Sequence, residues 1–242
     1  MVFFQEVLTL PRFLTIYIAQ GLVFAVFLFL AFRILKRDRK RLNLIFAAFY
    51  LSPVIGLFIN FIYGPLSEEA IIIALNFITN FGIFYAPIFL VVFELILLKS
   101  EKVITSSKQF IILIIYGIAM FSMIFFLFIP GWGVTINVHT SWSPKWSLPF
   151  FIYLVIIESI AVLPVLFLSF RIFQKFEDEV LKKKWKFFIY GFCALAIFMY
   201  GIFVSNYLGN QTFRLIMGLI GLILAITGAY LMYYGVGKQI EK

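Results

Sequence analysis

The stretch RILKRDRKRL (33–42) decides how this chain folds. It gathers Arg33, Lys36, Arg37, Arg39, Lys40 and Arg41 into one short segment, with an apolar run on either side at 13–35 and 42–63. Each run is long enough to cross about 30 Å of hydrocarbon as a helix. Cationic side chains beside a span resist translocation, so such a segment marks a cytoplasmic connection. Working outward, the alternation continues. Further apolar runs at 70–98, 109–130, 149–172, 187–208 and 213–235 bring the expected spans to seven. Lys99, Lys102 and Lys108 occupy the third connection. Arg171, Lys175, Lys182, Lys183, Lys184 and Lys186 occupy the fifth, and Lys238 and Lys242 the C-terminus. Of the twenty lysines and arginines, only Arg12, Lys145 and Arg214 fall on the opposite side. The expected fold is an all-α integral membrane protein, a seven-transmembrane-helix bundle with its N-terminus outside and its C-terminus cytoplasmic. Residues 1–242 form one domain, multi-pass in the plasma membrane.

Composition agrees with that architecture. The chain is 64% hydrophobic and 13% charged, with a mean hydropathy of +1.07. A soluble domain of 242 residues has too little interior to hide that much apolar surface. The net charge of +9 does not point to nucleic acid, because the basic residues are distributed connection by connection. They are also suited to anionic lipid headgroups, so membrane lipids are expected partners. The single cysteine, Cys193, lies inside a span and has no second cysteine to pair with. MVFFQEVLTL (1–10) has neither a basic start nor a small-residue cleavage site, so the first span is expected to target the chain itself.

Polar residues within spans are costly and tend to face inward. Glu158 lies nine residues into span five, about 14 Å below its outer end at helical rise. No lysine or arginine occurs at that depth in any span. Its carboxyl must be protonated, hydrogen-bonded to neutral groups or facing water. Glu94 lies close to Lys99 near the inner end of span three, where snorkelling or pairing with a basic loop residue is expected. Asn60, Asn76, Asn80 and Asn206 fall in the outer halves of spans two, three and six, with Tyr200 deeper. Asn76 and Asn80 share a helix face. Such a set describes either an outward-opening pocket or interhelical hydrogen bonds.

The fourth connection, GWGVTINVHTSWSPKWS (131–147), carries Trp132, Trp142, Trp146 and the only histidine, His139. The tryptophans are expected either at headgroup level as an aromatic belt or in a loop folded as a lid over the bundle. His139 suits a pH sensor, and no second imidazole is present for a metal site. The fifth connection changes from Glu177, Asp178 and Glu179 to its lysines, as a helix dipole prefers. A short cytoplasmic helix running into span six is expected there, with Trp185 at the interface. Pro53, Pro87 and Pro164 fall within spans and are expected to bend them. Gly221, Ala225 and Ala229 repeat every four residues in span seven and allow close helix approach, either within the chain or between two copies. Asn210-Gln211-Thr212 matches a glycosylation sequon but sits too close to the membrane for modification.

Catalytic signatures are absent. Span seven has no lysine for a retinal Schiff base. No span carries HExxH, GxSxG or a paired acid and base, and no ionisable chain crosses the bundle. Neither matched Gly/Pro breaks nor an internal repeat of the transporter kind is present. The chain is expected not to be an enzyme, and to use no cofactor and no metal.

Several motifs carry a family likeness. They are the Asn-containing third span ending in FELILL (93–98), the outer loop with WSPKW (142–146), the join FRIFQKFEDEVLKKKWKFFIYG (170–191) and the closing LMYYGVG (231–237). With these, nearly the whole chain resembles the seven-transmembrane sensor module of bacterial and archaeal histidine kinases and related signalling proteins. The resemblance implies ligand or membrane-state sensing by the bundle, with output in a cytoplasmic domain. Only KQIEK (238–242) follows span seven, so output is expected to pass to a separate partner at 33–41 and 171–186. A G-protein receptor shares the topology, but DRY-like and NPxxY-like runs are missing. The expected function is a receptor-like sensor that binds a small or lipidic ligand from outside. Glu158, Asn76, Asn80, Asn60, Asn206 and Tyr200 would line its site, with Trp142 and His139 above. The alternatives are a carrier or channel coupled through Glu158, and an accessory subunit whose polar residues only pack helices.

Overall fold

A computed structural model describes residues 7–237. Seven helices among them are long and apolar enough to cross a membrane. They are α1 (Leu10–Arg37), α2 (Arg41–Tyr63), α3 (Glu69–Lys99), α4 (Ser106–Phe128), α5 (Leu148–Lys175), α6 (Glu179–Leu208) and α7 (Gln211–Val236). Two short strands, β1 (Val134–Thr135) and β2 (Lys145–Trp146), form a hairpin between α4 and α5. The fold is an all-α bundle with the makeup of a multi-pass membrane protein. Lys238 and Lys242, together with most of the N-terminal MVFFQEVLTL, lie outside the described residues.

Local chemistry sets several helix ends. Thr105, Ser147, Asp178 and Asn210 each accept a hydrogen bond from an amide of the helix that follows. These bonds satisfy amides that a helix start otherwise leaves open. Gly209, with φ +63°, closes α6 in the left-handed conformation that glycine adopts without penalty. The acidic-to-basic join is helical and runs unbroken into span six, as its charge pattern predicts. Asp178 caps one continuous helix that begins at Glu179, and Lys182 pairs with Glu179 at 3.0 Å. Pro53 and Pro164 sit inside unbroken helices, whereas α3 is interrupted at Tyr85, two residues before Pro87.

Helices α1, α2, α3, α5, α6 and α7 close into a ring of neighbours, with α4 packed outside α3 and α5. Outward faces are apolar, as lipid contact requires: Ile114, Ile115, Ile118 and Phe121 on α4, and Leu215, Leu219 and Ile223 on α7. Inside, backbones meet at glycine. A Cβ on Gly82 would lie 2.9 Å from the Gly56 nitrogen, which locks α2 to α3. One on Gly191 would lie 2.5 Å from the Gly228 carbonyl, which does the same for α6 and α7. Arg41 Nε donates to Gln109 Oε1 at 2.8 Å, so the starts of α2 and α4 share one end, the basic end. The β-hairpin closes the opposite end.

Candidate functional site

The hairpin segment is ordered by its own polar groups. Val134 pairs with Trp146 and Thr135 with Lys145. Asn137 caps a 3-10 turn at Val138–Thr140, where its side chain accepts from the His139 and Thr140 amides. The Ser147 hydroxyl donates to the Trp132 carbonyl at the base of the loop. The three tryptophans divide. Trp132 is 47% exposed, as a belt residue would be. Trp146 is only 2% exposed, which corrects its reading as a belt residue. Its ring packs edge-on to Phe84 of α3 and Phe150 of α5, and tilted against Phe203 of α6. β-strand alternation turns it inward while its neighbour Lys145 faces out.

Against this hairpin lies a half-open cavity of about 720 Å3. Thr135, Asn137, His139, Lys145 and Trp146 come to it from the hairpin, and Gln211 and Arg214 from the start of α7. Ile73, Phe126, Leu127 and Ile129 supply apolar wall. The Arg214 guanidinium donates from Nη2 to the Pro144 carbonyl and so ties α7 to the hairpin. Its Nε, and Nε1 of Trp146, are buried donors with no partner among the described residues. Two of the three basic residues that break the charge alternation, Lys145 and Arg214, therefore line one cavity. That was the sequence signal for this site. The third, Arg12, is buried and donates to the Val7 carbonyl at 3.0 Å.

Of the eight residues expected to form a binding site, only His139 lines this cavity. The structure does not gather the others into one pocket. Asn60 donates to Gln20 of α1. Asn76 donates to the Tyr63 hydroxyl at 2.9 Å, and Asn80 to Asn76 at 3.1 Å. These asparagines stitch α1, α2 and α3 together, helped by Thr79, which donates to the Gly56 carbonyl at 3.1 Å. Glu158 is 0% exposed, with the Tyr116 hydroxyl 3.5 Å from Oε2 and no partner for Oε1 among the described residues. That contact is at the long limit of a hydrogen bond, and the same hydroxyl also lies 3.3 Å from the Ile157 carbonyl. Tyr200 is 2.7 Å from the hydroxyl of Ser159, next to Glu158. Trp142 is partly buried against the core, and Asn206 is half-buried near the end of α6.

At the basic end, one expectation changes. Glu94 neither snorkels nor meets a lysine. It is 0% exposed and accepts from the Ser169 hydroxyl of α5. Trp185 is buried, stacked on Phe188 and donating to the Ser169 carbonyl at 2.9 Å. Three helices therefore meet through Ser169. In α7, Gly221 faces Phe198, and Ala225 and Ala229 are fully buried. This stripe is consumed by packing within the chain, which leaves the opposite face of α7 as the one open to lipid or a second copy.

No protein-family model matches the chain, and no curated protein matches its sequence.

Proposed function

We propose that this protein is a receptor-like membrane sensor. It takes a small or lipidic ligand into the cavity against the hairpin and relays occupancy to a separate cytoplasmic partner at 33–41 and 171–186. In this reading the hairpin end faces outward and the basic end faces the cytoplasm of a plasma-membrane protein, as the charge alternation requires. One observation carries the reading: Trp146 lines the cavity and also packs on α3, α5 and α6. Those three helices meet again at the other end through Glu94, Ser169 and Trp185. A shift of Trp146 is thereby mechanically linked to the basic end, because close-packed interiors transmit strain.

A carrier coupled through Glu158 has less support. Between Glu158 and Ser169 the inner face of α5 is Ala161, Val162 and Val165, all buried. That is about 16 Å of apolar packing at helical rise. The packing-only alternative draws on the asparagine stitches, and one experiment separates it from the sensor. Nitroxides are placed at Lys36→Cys and Lys183→Cys in a Cys193→Ala background. Both sites are exposed on basic connections. Filling the cavity with Thr135→Trp shifts the distance distribution between the labels if the protein is a sensor. An unchanged distribution, with the fold retained, overturns the relay.

A further inference from the structure

The cavity against the hairpin has a chemical bias that identifies its ligand class. Lys145 and Arg214 line it, and among the described residues no aspartate or glutamate does. The Lys145 stem lies along Gly209, where an added Cβ would touch its Cγ at 3.4 Å, so the ammonium is anchored at the rim. Arg214 is held by the Pro144 carbonyl through Nη2 while Nε stays unpartnered. Trp146, 2% exposed, also lines the pocket and so places a fluorescent ring beside the two cations. Two cations with no carboxylate among the lining residues favour an acceptor-only, anionic guest.

We infer that this cavity binds a phosphate-type oxyanion, held by Arg214 and Lys145. The guanidinium suits such a group because its planar donors match oxyanion geometry. Ile73, Phe126, Leu127 and Ile129 form an apolar flank beside the cations. The same phosphate chemistry can therefore arrive on a free solute or on a lipid headgroup whose chain lies along that flank. The inference rests on the sensor reading only in using its cavity.

The test uses the full chain in maltoside micelles, which contain no phosphate. Tryptophan fluorescence is followed at constant ionic strength, first against inorganic phosphate and then against phosphatidic acid added to the micelles. A saturable response to inorganic phosphate identifies a free solute. A response to phosphatidic acid alone identifies a headgroup, and sodium chloride produces neither. Arg214→Gln and Lys145→Gln each raise the midpoint roughly tenfold, the loss expected for one charge-assisted hydrogen bond. Arg214→Lys restores most of the affinity, which separates charge from the hold on Pro144. Lys183→Gln, on the basic connection, changes nothing. Saturation by neither probe, or binding that both glutamine variants leave intact, overturns the assignment. The spin-label distances are read in the same samples. Binding without a shift overturns the relay alone. A shift on filling the cavity, without anion binding, overturns the anion assignment alone.

Discussion

Ser169 serves two neighbours with different atoms: its hydroxyl donates to Glu94 and its carbonyl accepts from Trp185. Ser169→Ala leaves the Glu94 carboxyl without that donor in a dry site. It is expected to destabilise the bundle by about 1–3 kcal/mol, read by denaturant unfolding in mixed micelles. Trp185→Phe keeps the ring on Phe188 and removes only the N–H, so its expected cost is smaller, about 1 kcal/mol. An equal or larger loss for Trp185→Phe would mean that the ring, not the bond, holds this corner. On the exposed first connection, Asp38 behaves differently. Desolvation, the largest single influence, pushes its carboxyl up, but the Lys40 ammonium at 3.1 Å and the Lys40 and Arg39 amides together outweigh it and hold the carboxyl below its ordinary value. Its contribution is complete above the unfolded value and is lost as pH falls through the lower folded one. Lys40→Gln should move the Asp38 titration upward in a carboxyl NMR experiment. The Asp38–Lys40 contact spans two residues and is local. The Glu94–Ser169 bond joins helices that are distant in sequence, so the nearby Lys99 suggested the wrong partner.

Elements in this bundle are held by backbone proximity as much as by side chains. At Gly82 the three atoms nearest an added Cβ are all backbone: Gly56 nitrogen at 2.9 Å, Gly56 Cα at 3.0 Å and Ser52 carbonyl at 3.2 Å. Nothing there can rotate aside, so Gly82→Ala forces α2 and α3 apart. The expected loss is about 1–3 kcal/mol, typical of overpacking. Gly21 and Gly218 meet nothing within 4 Å. Alanine there is expected to be neutral or stabilising by up to about 1 kcal/mol through helix propensity. Thermal unfolding of the three variants checks the contrast, and a destabilised Gly218→Ala would reveal a neighbour on that face of α7. Spacing alone shows that Gly221, Ala225 and Ala229 admit a close helix. Which helix it is depends on the ring order, which no periodicity encodes. The spans themselves were legible because length and hydropathy are local properties. The start of α6 was legible too, because the change from acidic to basic residues after Asp178 already reads as a helix start.

For the molecule as a whole, two charge patterns act at different ends. The larger one, along 33–41, 99–108 and 171–186, was legible at once because orientation depends only on which connections carry lysine and arginine. The smaller one, Lys145 with Arg214, became meaningful only through the pairing of β1 with β2 and the hold of Arg214 on Pro144. In the sensor reading the larger pattern sets the hairpin and the fifth connection on opposite sides of the bilayer, and this is directly testable. Cys193 is half-buried in α6, and Cys193→Ala gives a background without thiols. Thr135→Cys and Lys183→Cys then add one exposed thiol each, at the hairpin and at the start of α6. A membrane-impermeant maleimide applied to intact cells is expected to label Thr135→Cys and spare Lys183→Cys until the membrane is opened. The reverse pattern would turn the bundle over and set the cavity facing the cytoplasm. Its anion would then come from the cell interior, and the basic connections would no longer be available to an internal partner. Labelling of both in intact cells would mean mixed insertion, with the three minority cations strong enough to offset the other seventeen.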